Sequence, residues 1–323
     1  MARRGTSERN DLDVIGRVLP RLSCRRLPAL LALALVGCAR VAPADEAAHG
    51  AGALPRIVSL NPCSDAVLAQ VADRAQILAL SFYSRDPAQT SMDVAEARRF
   101  PSTDGAVESV VALHPDLVVT STYADPATLA ALRSMGLRVE TVGIADSLAA
   151  ARAQVRSLAA WAGHPERGAA LLAQIDRAVA EAAPPPGHVP IPAVLWEPGG
   201  LVPGQHTLVS DLMSQAGFAN FSAQRGLGQS ERLPLERMLA DPPRVILAVG
   251  PAPGTIVPGT GPDEDRLLFH PALAALTHTA RAPIAPNLIY CGGPTIPRLL
   301  DRLVAVRREL EGPALDKALG RPQ

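Results

Sequence analysis

Two glutamates occupy matching places in the chain, more than a hundred residues apart. Glu108 opens Val107-Glu108-Ser109-Val110-Val111-Ala112-Leu113-His114-Pro115, and Glu236 opens Leu235-Glu236-Arg237-Met238-Leu239-Ala240-Asp241-Pro242-Pro243; in each, alanine follows four residues later and proline seven later. An apolar run comes next in both, Leu117-Val118-Val119 and Val245-Ile246-Leu247. A carboxylate in a first helical turn gains roughly 0.3 to 1 kcal/mol from the helix dipole whatever the protein does. Taken singly, each is a helix-start residue. Taken as a pair, they also suit charge-assisted bonding to a two-fold symmetric basic partner.

Two cysteines offer a second kind of chemistry. Cys63 lies in Asn61-Pro62-Cys63 and Cys291 in Tyr290-Cys291-Gly292-Gly293-Pro294, both turns just after apolar runs. In a doubly wound α/β lobe such turns line the ligand crevice. For two cysteines of an exported chain a disulfide is the ordinary reading, and across so long a loop it would contribute about 4 to 5 kcal/mol on the entropic model. A pair of free thiols facing a ligand, or a bridge pinning two lobes, fits the same residues. Aromatic faces come third: Tyr83, in the irregular segment Ser81 to Pro87, and Trp196, ending the run Ala193-Val194-Leu195-Trp196. Either can stack on a flat ligand, and either can be ordinary packing.

The elements that must position these residues follow from hydrophobic period and breakers. Arg56 to Leu60, Ile77 to Leu80, Leu117 to Thr120, Arg138 to Val142 and Ala193 to Trp196 read as short buried strands, alternating with helices such as Pro126 to Met135 and Leu208 to Ala216. Ser147 to Trp161 and Glu166 to Ala182 carry apolar residues at helical spacing, the second stopped by Pro184-Pro185-Pro186-Gly187. The segment Ile284 to Tyr290 and a helix from Pro297 to Leu310 close the chain. Strands alternating with helices predict mostly parallel sheets covered on both faces, in two similar lobes.

Composition narrows the function. The chain has 323 residues, 48% hydrophobic and 19% charged, with zero formal net charge, which gives no support to nucleic-acid binding. Its seven histidines are scattered, so a metal site is not expected. Gly-x-Ser-x-Gly and the phosphate-binding Gly-x-x-x-x-Gly-Lys-Ser/Thr are absent, and Gly226-Leu227-Gly228 lacks the third glycine of a dinucleotide fingerprint. Neither catalysis nor a resident cofactor is expected.

Arg25-Arg26 precedes an apolar run from Leu27 to Val36, too short to span a bilayer but suited to a signal-peptide core. It ends in Leu35-Val36-Gly37-Cys38, which resembles a bacterial lipobox, so that Cys38 would be acylated and become the first mature residue. The alternative is a plain secretory peptide cut after Ala42-Pro43-Ala44. Either way export is expected, with residues 1–38 the signal peptide and its lipobox in the first case and 39–54 a flexible tether.

The order Arg56-Ile57-Val58-Ser59-Leu60, the Glu108-to-Pro115 element with Asp116-Leu117-Val118, a long helix, then Gly204, Thr207, Asp211-Leu212, Gly217, Asn220 and the Glu236 element resembles one family over Pro55 to Leu310. It is the periplasmic substrate-binding proteins of ABC importers for metal chelates: cobalamin, haem and iron-siderophores. The resemblance implies two doubly wound α/β lobes, 55–164 and 188–312, joined by a single long rigid helix within 165–187, with a tail at 313–323. It implies a monomer that captures a small-molecule metal chelate between the lobes, with a corrinoid the first choice and an iron-siderophore or haem next. Its partners would be an ABC permease dimer with its cytoplasmic ATPase, docked through Glu108 and Glu236, and the membrane through a lipid anchor, which makes it a periplasmic lipoprotein. Tyr83 matches an aromatic that contacts the corrin in the cobalamin binders. The two tryptophans those proteins add have no match, since Ser102-Thr103-Asp104-Gly105 and Gly228-Gln229-Ser230 are aromatic-free. An envelope lipoprotein of the same fold with a sensing or interaction role is the alternative.

Overall fold

Runs such as Ile57-Val58-Ser59 and Leu117-Val118-Val119-Thr120 are buried on both faces, which is why they read as continuous apolar segments and not as alternating ones. A computed structural model describes residues 53–250 and 270–312. Residues 1–52, with Cys38 and most of the expected tether, the Gly- and Pro-rich loop beyond Gly250, and residues 313–323 lie outside the described residues.

The first sheet contains β1 (Ile57–Ser59), β2 (Ile77–Ser81), β3 (Ser102–Thr103), β4 (Leu117–Ser121) and β5 (Arg138–Val142), in the order β3-β2-β1-β4-β5 with every pairing parallel. Its helices are α1 (Pro62–Val71), α2 (Val94–Ala97), α3 (Val107–Val111), α4 (Pro126–Ser134) and α5 (Leu148–Trp161). α6 (Pro165–Ala182) leads to the second half. There follow β6 (Ile191–Trp196), β7 (Leu201–Val202), α7 (Leu208–Gln215), β8 (Phe218–Asn220), α8 (Phe221–Gln224), β9 (Glu231–Arg232), α9 (Leu235–Ala240), β10 (Val245–Val249), α10 (Pro271–Ala274), β11 (Ala280–Ile284) and α11 (Thr295–Glu311). The second parallel sheet runs β11-β10-β6-β8, and β7 pairs with β9 as a small antiparallel ribbon.

The strand order reverses beside β1 in the first sheet and beside β6 in the second. Ligands of open α/β sheets bind outside the carboxyl ends of strands at such switch points. Each sheet is therefore built to present one.

α6 buries Leu171, Ile175, Ala178 and Ala182, the three- and four-residue spacing of an apolar stripe. It packs on α5 from one side and α11 from the other. Gly168 permits the first contact, because a Cβ there would stand 2.4 Å from the Ala159 Cβ. The buried Arg307 of α11 donates to the Ala182 carbonyl at 2.9 Å and the Ala216 carbonyl at 2.7 Å, so one guanidinium serves the carboxyl ends of α6 and α7. Around this frame a single apolar cluster runs from Ile57 and Leu117 of the first sheet through α5 and α6 to Leu195 and Leu247 of the second.

Candidate functional site

The carboxyl ends of the parallel strands point at a common cleft. Asn61 and Cys63 follow β1, Ser121 ends β4, and Gly143 to Asp146 follow β5; from the other half come Glu197 after β6, Pro203, Thr207 to Val209, Gln229, Ser230 and Ile289 to Gly292. These residues enclose about 370 Å³, within the range of small-molecule sites. Both switch points contribute, β1 and β4 on one side and β6 on the other.

The cleft wall explains several residues that carried the family resemblance. Gly204 lies against the Leu227 carbonyl, where a Cβ would come within 2.0 Å of the oxygen, and its amide donates to the Gly228 carbonyl at 2.8 Å. Thr207 caps α7 through Ser210 N. Asn220 accepts from the Ser222 amide and donates to the Pro203 carbonyl at 3.0 Å. Asp211 Oδ2 accepts from the Leu148 amide at 2.8 Å, joining α7 to the start of α5. The motif is scaffolding for one wall.

Cys63 and Cys291 form a disulfide, S–S 2.11 Å with Cα atoms 5.1 Å apart, and both residues line the cleft. The bridge joins the start of α1 to the segment before α11, so it ties the two halves at the cleft floor. As a cystine the pair offers the ligand no thiol.

Tyr83 stands on the same sheet edge, just after β2, in a short 3₁₀ turn from Phe82 to Arg85. It is 39% exposed, with its ring 4.0 Å from that of Phe82, and lies outside the cavity itself. The turn is anchored from below: Asp65 on α1 is wholly buried, accepting the Ser84 hydroxyl at 2.6 Å and the Ser81 amide at 2.9 Å. Burial pushes the Asp65 carboxyl up to about 7, partly offset by those hydrogen bonds.

Trp196 corrects the sequence reading. It is 0% exposed and belongs to a core cluster with Val194, Val202, Phe221, Leu233 and Met238, so no face of the indole reaches a ligand. Along β6, Ala193 and Leu195 enter one core while Val194 and Trp196 enter the other; the two-residue period takes the last strand position into a helix layer. The next residue, Glu197, reaches the cleft instead. Its burial raises its carboxyl above the ordinary range.

Sequence reasoning missed Tyr290 and Tyr123. Tyr290 lines the cleft, 39% exposed, its phenol raised first by burial and then by the charges of Glu197 and Asp86. Tyr123, 74% exposed, follows β4. The chain has three tyrosines, and each follows the carboxyl end of a strand. That coincidence was readable from spacing once the strands were placed.

Glu108 and Glu236 are exposed in the first turns of α3 and α9. In each helix the residue two positions on, Val110 or Met238, is fully buried. Each helix leads into a strand lying beside the first strand of its own sheet, β4 next to β1 and β10 next to β6. The two carboxylates thus occupy topologically equivalent sites. Among the described residues no three His, Cys, Asp or Glu side chains form a metal-ligand group, and no helix is long and apolar enough to cross a membrane.

A family model described as periplasmic binding protein matches residues 57–281. The chain belongs to that family. The family and the fold are those of binding proteins. A cobalamin-binding protein of Halobacterium salinarum (strain ATCC 29341 / DSM 671 / R1) is 26% identical over 239 residues, 72% of this chain and 58% of the relative. The chain therefore spans only 58% of the length of that curated relative. Among solved structures, a periplasmic heme binding protein from Pseudomonas aeruginosa superposes with a TM-score of 0.59 at 24% identity, over 78% of this chain and 92% of that one. The periplasmic vitamin B12 binding protein BtuF of Vibrio cholerae gives 0.57 at 20% identity, over 80% and 97%. At these identities the structures establish a shared two-lobed α/β fold.

Proposed function

We propose that this protein is the substrate-binding component of an ABC importer, capturing a metal chelate between its lobes and passing it to a two-fold permease with a cytoplasmic ATPase. A corrinoid is the first choice of ligand, ahead of an iron-siderophore or haem. The observation that carries this reading is the cleft: both switch points open onto one cavity, and Tyr290 lines it. A planar or bulky chelate needs aromatic faces at a desolvated site, each contributing on the order of 1 kcal/mol beyond buried area. Membership of a periplasmic binding protein family and a cobalamin-binding relative support the same class. The equivalent exposed Glu108 and Glu236 supply the docking charges, and acylation of Cys38 would hold the protein at the membrane as a monomer.

Calorimetric titration of the purified protein with cyanocobalamin, haemin and a ferric siderophore tests the reading. At least one should bind saturably, and Tyr83→Ala should weaken it several-fold. No saturable heat with any of the three would favour the sensing or interaction role for the same fold.

A further inference from the structure

We propose that Glu197 makes the cleft selective by charge, admitting neutral or cationic chelates that carry N–H donors and rejecting anionic ones; this rests on the chelate-binding reading above. The described residues lining the cleft include two carboxylates, Glu197 and Asp146, and no arginine or lysine. An anionic chelate placed there meets like charge without a counter-ion, whereas an amide-fringed or cationic chelate finds acceptors.

Glu197 is the stronger of the two carboxylates for this role. Asp146 is exposed and screened by water, while Glu197 is partly buried and makes no side-chain hydrogen bond or ion pair among the described residues. Arg232, the cation placed beside this loop, donates instead to the Gly199 carbonyl at 2.5 Å. A carboxylate partly withdrawn from water, with no partner among the described residues, is satisfied most fully by a ligand donor. The cleft already registers this negative charge at Tyr290, whose phenol is raised by burial together with the charges of Glu197 and Asp86. Selectivity of this kind works by penalising the wrong ligand as much as by rewarding the right one.

The test measures affinities of the full-length protein for cyanocobalamin, for its monocarboxylate with one peripheral amide hydrolysed, and for haemin, which carries two carboxylates. The wild type should prefer cyanocobalamin to both anionic ligands by at least about tenfold, as expected for an unshielded like charge. Glu197→Gln, which keeps the shape, should shrink that preference several-fold. If the wild type takes haemin or the monocarboxylate as tightly as cyanocobalamin, or if Glu197→Gln folds and leaves the ratio unchanged, the charge-selection inference is overturned while chelate capture stands. If none of the three binds, the functional reading falls and this inference falls with it. The wild-type ratio needs no variant, so the proposal stays testable even if Glu197→Gln fails to fold.

Discussion

The Leu148 amide donates to Asp211 Oδ2 at 2.8 Å, so a side chain of α7 in the second half serves the first turn of α5 in the first. The bond places a negative charge at the amino end of a helix, where the dipole favours it. It also crosses between the halves next to residues 145 and 146, which line the cleft.

Asp211→Ala should therefore cost about 1 kcal/mol, the usual loss when a helix start loses its side-chain acceptor. In a protein of this size that lowers the melting temperature by roughly 2 °C. Asp211→Asn, which keeps an acceptor, should recover most of the loss. Equal melting of the alanine variant and the wild type would show that the contact contributes nothing.

The Cys63–Cys291 bridge closes a loop of 228 residues in sequence. On the chain-entropy model so long a loop contributes on the order of 5 kcal/mol. The double variant Cys63→Ser with Cys291→Ser should shift the denaturant midpoint well below that of the oxidised wild type. Peptide mapping of protein alkylated under denaturing, non-reducing conditions should recover the two cysteine peptides linked to each other.

Stability should depend on pH through Asp65. Its carboxyl stands at about 7 in the folded protein against an ordinary value of 3.8, with burial as the main cause. Between those values the unfolded chain has lost the proton that the folded protein keeps. Stability from this group is accordingly greatest at the acid end of that window and declines as pH rises toward 7. Asp65→Asn should flatten that decline in thermal melts taken across the window. A slope unchanged by the substitution would mean that the carboxyl titrates normally.

Glu108→Ala combined with Glu236→Ala should leave chelate affinity within about twofold of wild type, since both carboxylates are exposed and outside the cleft, yet abolish uptake if each pairs with a permease cation. Uptake at the wild-type rate in a strain carrying only the double variant would reduce them to helix-start residues.

The strands that were legible in the sequence are those whose burial dictates their composition. β1, β4 and β6 are apolar because both of their faces are covered. β11 escaped because Arg281 and Pro283 interrupt it: it is an edge strand paired only to β10, a place where a missing amide is tolerated. β3 has two residues and exists through its pairing with Leu80 and Ser81. In the site, turn positions were readable but side-chain direction was not. Trp196 and Glu197 are neighbours, and only the strand's two-residue alternation, followed by its end, sends one inward and the other into the cleft. Tyr290 was hidden because β11 was.

The apolar cluster that threads both sheets has a consequence for how this molecule comes apart. Each half keeps a smaller apolar cluster of its own, yet the largest interior is shared: α6 presents its buried stripe to elements on either side. Thermal unfolding should therefore be a single cooperative transition. A fragment ending at α5, or one beginning at β6, would expose half of a common interior to water. The lobes are two in outline and one in thermodynamics.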